Sequence, residues 1–321
     1  MRMPAAFPAI LLLGGCATGA LAQPHAPYIV LPGHIDLDRG PDGNSVLIDA
    51  PDGLIVVDTG RHQSHAEAIL DRVRAAAKPI AAIVNTHWHL DHTTGNRDLR
   101  LAFPGAKVIA TGAGEGALNG FLAPGLARTR SMIDDSASSE ADRASARRRL
   151  AAMTDRASFL PADPVAATRA RVIAGREVLL HVAPAAVTEA DLWLLLPDEK
   201  LAVVGDLVVA PMPFFDTACE EGWAAALDDI AAAPWETLIP GHGAPMSRAD
   251  FVRWRGAFDA FVGCAGSDAA PGECSARWLA AAQGFYTGDE AESVRALGDY
   301  YVAEVLRAPR ERRMDYCPMP D

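Results

Sequence analysis

The chain predicts an α/β fold in which short apolar strands alternate with amphipathic helices around a sheet. Three observations carry this. Runs rich in Val, Ile and Leu recur at 54–57, 80–84, 178–182, 192–196, 201–204 and 237–239, with turn-forming residues around them. Between them lie stretches with apolar residues at helical spacing, as in 65–77 and 221–232. Directly after four of the runs stand His or Asp side chains, at strand ends, where sites in α/β proteins gather.

In chain order, 28–31, 45–49 and 54–57 read as strands, the last two joined by the turn Pro51-Asp52-Gly53. A helix over 65–77 carries Ala66, Ile69, Leu70, Val73 and Ala77 on one face. The strand 80–84 follows, then a helix at 96–103 and a strand at 107–110. Residues 113–168 change character: rich in Ala, Arg and Ser, they read as two or three helices over the site or the sheet edge. Their cluster Arg147-Arg148-Arg149 reads as a solvated helix face. The second half repeats the pattern with strands at 178–182, 192–196 and 201–204. In the helix 221–232, Trp223, Ala226, Leu227 and Ile230 share a face. Ser247 is a good N-cap with Asp250 three residues on. Phe251, Phe258 and Val262 recur at helical spacing behind it. Further helices are expected at 275–283 and 290–306.

The 321 residues are half hydrophobic and 22% charged, which suits a compact globule of one or two domains. A formal net charge of −12 repels nucleic acid and anionic membrane, so neither is an expected partner. No stretch is long and apolar enough to span a bilayer. The start resembles an export signal: Arg2, an apolar run at 5–14, and Ala20-Leu21-Ala22 as a cleavage pattern, giving a leader of residues 1–22. Leu13-Gly14-Gly15-Cys16 also resembles a lipoprotein box, so a lipid anchor at Cys16 is the alternative to simple secretion to the periplasm or medium. Beyond Cys16, the even set Cys219, Cys264, Cys274 and Cys317 suits disulfides in an exported protein. A local Cys264–Cys274 bridge across the 265–273 loop and a Cys219–Cys317 bridge pinning the tail are plausible. Sequence alone allows three pairings, and free buried thiols remain the alternative.

The segment His87-Trp88-His89-Leu90-Asp91-His92 is the most specific signal. His87 and His89, two apart on an extended turn, can grip one cation while Asp91 and His92 turn toward another. Imidazole with carboxylate is the ligand set of zinc, sometimes of iron or manganese. This run resembles the HxHxDH signature of the metallo-β-lactamase superfamily. Asp58-Thr59-Gly60, Gly205-Asp206 and Pro240-Gly241-His242-Gly243 match that family's other motifs in order. The resemblance, from about residue 28 to 242, implies a four-layer αββα sandwich over 23–246 with the helical insert at 113–168. Residues 247–321 would then be a C-terminal helical extension. It also implies one or two zinc ions on His87, His89, Asp91, His92, Asp206 and His242, with Asp58 supporting the ligands from behind. Asp91 is a ligand or, alternatively, the base that orients the attacking water.

One position departs from the pattern. Where the family carries the third ligand of its first metal, this chain has Val187, followed by Thr188 and then Asp191. His181, upstream, reads as a core or rim histidine. The first site, of His87, His89 and Asp206, is thus one ligand short, whereas Asp91, His92, His242 and Asp206 make a complete second site. Either one metal is held tightly and another weakly, or the pocket around Val187 and Thr188 serves a different substrate with a single metal. Phe214 and Phe215 could wall an acyl group, or their loop packs on the core. Trp88, between two ligands, lines the pocket or packs beneath it. Asp206 makes the chain resemble hydrolases of the glyoxalase II and lactonase type more than true β-lactamases. The expectation is an exported zinc hydrolase of a small ester, thioester, lactone or amide. A β-lactamase and a non-catalytic metal binder are the alternatives. An iron oxidoreductase is disfavoured, since no flavin domain is evident.

Overall fold

The computed structural model describes residues 27–34, 40–312 and 317. The expected leader at 1–22 and Cys16 lie outside them. Among the described residues, ten strands form two five-stranded sheets. The first runs in chain order: β1 (Tyr28–Leu31), β2 (Ser45–Ala50), β3 (Gly53–Val57), β4 (Ile80–Val84) and β5 (Lys107–Ile109). The second is β6 (Arg169–Ile173), β7 (Arg176–Pro184), β8 (Ala190–Leu196), β9 (Leu201–Val209) and β10 (Thr237–His242). In each sheet the antiparallel meander gives way to parallel pairing, at β3–β4 and at β9–β10. Those parallel edges bring the strand ends that carry the ligand motifs to one rim.

The central strands are apolar throughout because both of their faces are covered. Side chains alternate along a strand. Val46, Ile48, Ile55 and Val57 therefore face the other sheet and meet Leu180, Leu192, Leu194 and Val203 there. Leu47, Leu54 and Val56 face outward under α1 (Gln63–Ala76) and α3 (Asn96–Ala102), against Ile69, Val73 and Leu99. On the far side, Trp193, Leu195, Ala202 and Val204 pack under α8 (Glu220–Ala232) and α9 (Arg248–Ala265). This is the expected αββα order.

The C-terminal helices α9, α10 (Pro271–Ala281) and α11 (Ala291–Tyr300) do not build a core of their own. Phe258 lies 5.1 Å from Trp223 and 6.0 Å from Phe215, ring centre to ring centre, inside the cluster of the second sheet. Ser247 and Asp250 form the expected capping box at the start of α9. A π-helical turn, Tyr301–Leu306, follows α11. Both anticipated disulfides are present: Cys264–Cys274 locally, and Cys219–Cys317 across 98 residues, fastening the tail to the start of α8.

Three expectations need correction. The insert holds four helices, not two or three: α4 (Ala113–Asn119), α5 (Ala123–Asp134), α6 (Glu140–Thr154) and α7 (Arg156–Phe159). Strand β6 was not anticipated. It is an edge strand with mostly exposed residues, joined to β7 by Ala174-Gly175, both at positive φ; alanine gives no sign of such a turn. Nor is Arg147-Arg148-Arg149 a uniformly solvated face. Arg148 turns inward to pair with Asp98 and to donate to the carbonyl of Arg61, and Arg149 is half-buried. His181 stacks flat on Trp193 at 3.7 Å, as a rim histidine does. Among the described residues, no helix is long and apolar enough to cross a membrane.

Because Phe258 joins the C-terminal helices to the second sheet, Phe258→Ala is expected to lower stability by about 3–5 kcal/mol. Chemical denaturation followed by tryptophan fluorescence and far-UV circular dichroism should give coincident transitions. An early, separate transition of the C-terminal helices would contradict a shared core.

Candidate metal centre

Four strand ends and the short helix α2 (Leu90–Thr93) carry the site. The two halves of the molecule approach there more closely than side chains would allow. A Cβ on Gly205, whose φ is 53°, would stand 2.4 Å from Thr86 Oγ1. One on Gly241 would stand 1.9 Å from Asp206 Oδ1. Glycine at 205 lets the second sheet press against the histidine loop, and glycine at 241 lets the end of β10 lie against Asp206 of β9.

The polar atoms gather into two candidate metal-holding groups, His87 with His89 and Asp206, and Asp91 with His92 and His242. Asp206 reaches both. Its Oδ1 is 3.1 Å from His92 Nε2 and 3.4 Å from His242 Nε2, and its Oδ2 is 3.7 Å from His87 Nε2. Asp91 Oδ2 is 3.3 Å from His242 Nε2 and 3.8 Å from His92 Nε2. Two donors on one tetrahedral zinc, each at about 2.0–2.1 Å, stand about 3.4 Å apart. The spacings therefore fit ligands around a shared cation. His87 Nε2 and Asp206 Oδ1 are buried and make no aligned hydrogen bond. Such atoms are costly unless an ion or water satisfies them.

Three of the four histidines, His87, His89 and His92, are oriented from behind. Asp58 Oδ2 accepts from His92 Nδ1 at 2.7 Å and from Thr86 Oγ1 at 2.7 Å, and Oδ1 accepts from the Thr86 amide. Thr86 Oγ1, its own hydrogen given to Asp58, accepts from His87 Nδ1 at 3.0 Å. One buried carboxylate thus turns two imidazoles. His89 is fixed differently. Its Nε2 donates to Thr217 Oγ1 at 2.9 Å, and Thr217 Oγ1 donates to the carbonyl of Val187 at 2.9 Å. That leaves the unprotonated Nδ1 of His89 as the nitrogen free to bind a cation.

The electrostatics are those of a compensated cluster. Burial alone would depress His92, but Asp206, Asp58 and Asp91 outweigh it and hold the ring well above its ordinary pKa. His242 is raised likewise, Asp206 and Asp91 overcoming burial. Burial drives His87 well below its ordinary value and His89 down to about 4. Against burial, His92 and His242 hold Asp91 and Asp206 ionised. Binding a cation requires these imidazoles unprotonated at the ligating nitrogen, so metal uptake would release protons.

A cavity of about 530 Å³ opens above the cluster. Its floor includes His89, Asp91, Asp206 and His242. Its walls are apolar: Trp88 and Phe121 on the insert side, Phe214, Met212, Leu297 and Tyr301 on the other. Trp88 both lines it and packs beneath, donating from Nε1 to Glu189 at 2.8 Å. Of the other anticipated wall residues, Phe214 is present, 5.2 Å from the His89 ring. Phe215, Val187 and Thr188 are not among the lining residues. Phe215 alternates to the opposite side of its loop, into the cluster of Trp223, Phe258 and Phe261. Val187 and Thr188 are buried in a turn whose amides both donate to Asp191 at 3.0 Å. Burial raises Asp191 to about 7. Sequence reasoning did not single out Arg61 or Thr217. The only signals were their places, Arg61 directly after Asp58-Thr59-Gly60 and Thr217 within the rim segment 211–219 that follows Asp206 and carries Phe214 and Phe215.

Thr217→Val removes the acceptor that orients His89. Metal affinity at the His87/His89/Asp206 group should fall about 10–100-fold, with Thr217→Ser retaining most of it. Competition with a chromogenic chelator measures this.

Comparison with known proteins agrees with this geometry. Residues 38–242 match the model of the metallo-beta-lactamase superfamily. A linear primary-alkylsulfatase of a Pseudomonas species is 29% identical over 224 residues, covering 63% of this chain and 41% of that protein. A hydroxyacylglutathione hydrolase of a Cyanothece species is 36% identical over 81 residues, covering 22% of this chain and 32% of that protein. The chain thus spans less than half the length of either relative. A metallo-beta-lactamase family protein from Thermus thermophilus superposes with a TM-score of 0.54 at 15% identity, over 86% of this chain and 93% of its own. The chain belongs to the metallo-beta-lactamase superfamily.

Proposed function

We propose that the protein is a zinc-dependent hydrolase acting on an ester-type bond that joins a polar head to an extended apolar group. One observation carries this reading. The two ligand groups form the floor of a cavity whose walls are largely apolar. Two relatives support it by their names, one an alkylsulfatase of linear primary alkyl groups and the other a hydrolase of hydroxyacylglutathione.

His87, His89 and Asp206 would hold one cation, and Asp91, His92, His242 and Asp206 the other. The second group has more protein donors, because Val187 offers none to the first; it therefore holds its metal more tightly. Zinc supplies, when bound, a water acidified to near neutral pKa and a charge to stabilise the developing oxyanion. The chain's own groups do the rest. Asp58 and Thr217 keep the imidazoles aimed. Asp91, as a ligand of the second group, places its carboxylate beside the reacting centre. Trp88, Phe121, Phe214 and Leu297 exclude bulk water and grip the apolar group, which strengthens every polar interaction at the floor. Export to an oxidising compartment is part of the proposal, supported by the two disulfides.

The test is turnover of esters of graded chain length, from acetyl to decanoyl, alongside alkyl sulfates of the same lengths. The expected result is kcat/KM rising with chain length, loss on removal of metal by chelator, and recovery on addition of zinc. His242→Ala should lower kcat/KM by at least about 100-fold. No hydrolysis of any of these by zinc-loaded protein would contradict the reading.

A further inference from the structure

We infer that Arg61 is a specificity-determining residue that selects substrates carrying an anionic oxygen next to the bond that is broken. The inference rests on the reading of the cavity as the substrate chamber. Arg61 is the one Arg or Lys among the described residues that line it. It stands beside the ligand cluster, its Nη2 3.5 Å from Asp91 Oδ1. That distance is longer than a charge-assisted hydrogen bond. The guanidinium therefore keeps donor capacity for a substrate oxygen.

Its position is built rather than incidental. The Arg61 amide donates to Asp42 Oδ1 at 2.5 Å, and its carbonyl accepts from Arg148. Its Nε donates to the carbonyl of Pro41 at 3.2 Å. The plane rests on Gly40, at φ 81°, where a Cβ would come within 3.2 Å of Cζ and Nη1. Backbone, Nε and one flank are thus engaged, and the Nη groups are left facing the cavity. Its side chain is 28% exposed. Behind it, Arg148 and Arg149 line a second hollow that Arg61 also borders. Asp98 pairs with Arg148, and Asp142 lines the same hollow, but among the described residues Arg149 has no ion-pair partner.

Besides the ligands Asp91 and Asp206 on its floor, the cavity's acidic side chains are Asp216 and Glu290, which border the C-terminal helices. Asp216 accepts from the Tyr300 hydroxyl at 2.8 Å, and Glu290 accepts from Thr287 Oγ1 at 2.9 Å. Phe214, Val294 and Leu297 also line the cavity. The arrangement orients a substrate with its anionic head at Arg61 and its neutral apolar tail toward α11. A sulfate half-ester and a carboxylate-bearing ester both present such a head.

Calorimetric binding to the zinc-loaded protein tests this without turnover. The probes are octane-1-sulfonate, which has no ester bond to cleave, octanoate and octan-1-ol, matched in chain length, on wild type, Arg61→Gln and Arg61→Lys. In Arg61→Gln the affinity ratio of the anionic probes to octan-1-ol should fall about 10–100-fold. Arg61→Lys should keep most of it. The larger drop, for octane-1-sulfonate or for octanoate, identifies which head Arg61 reads. An unchanged ratio in Arg61→Gln, or equal loss for all three probes as a structural role would give, overturns the inference while leaving the chamber intact. Failure of wild type to bind any probe overturns the chamber itself, and this inference with it.

Discussion

The carboxylate of Asp58 is the constraint on which the rest of the site depends. It is 2% exposed, and it accepts from the Thr86 amide, the Thr86 hydroxyl and His92 Nδ1. Asp58 itself sits at φ 55°, its amide bonded to the carbonyl of Val84. One side chain thus ties the end of β3 to the end of β4 and to α2. A buried charge of this kind is tolerable only when every lone pair is used. Using them fixes the direction of two imidazoles. The second sheet then completes the cluster, because glycine at 205 and 241 lets Asp206 and His242 approach without a clash.

The first metal group is organised by a different device. Val187 supplies no donor, but its carbonyl holds Thr217, and Thr217 holds His89. The same turn accepts the Cys219 amide at Ala186, and Cys219 is bridged to Cys317. The rim segment therefore connects the tail, the ligand-free turn and His89 in one chain of contacts. Its next residues divide by alternation. Phe214 faces the cavity and Phe215 the core. C-terminal helices that share that core bring Val294, Leu297 and Tyr301 to the cavity wall. The chamber is made by packing, not by the ligand motifs.

This division explains what the sequence made legible. The ligands could be read because His and Asp directly after apolar runs are chemically unusual, and because strand ends gather at one rim. The sandwich could be read because strands covered on both faces are continuously apolar. The capping box of α9 and the cysteine pairs were legible for similarly local reasons. Thr217, Arg61 and the burial of Val187 and Phe215 were not. A threonine that orients a histidine 128 residues away leaves no local pattern. An arginine in a turn resembles any solvated arginine until its carbonyl, amide and Nε are each seen to be engaged. Which of two adjacent phenylalanines faces a cavity depends on helices that come later in the chain. Strand β6, with Arg at 169 and 171, shows little of the apolar alternation that marks a buried strand.

The most direct test of the account is the metal content of protein prepared without chelator, measured by elemental analysis before and after dialysis against a weak chelator. The account predicts zinc before dialysis, with one equivalent per chain retained afterwards. That retained equivalent should vanish in His242→Ala but persist in His89→Ala. Protein that is correctly folded yet takes up no divalent metal would contradict it, as would a retained ion lost through His89→Ala and indifferent to His242.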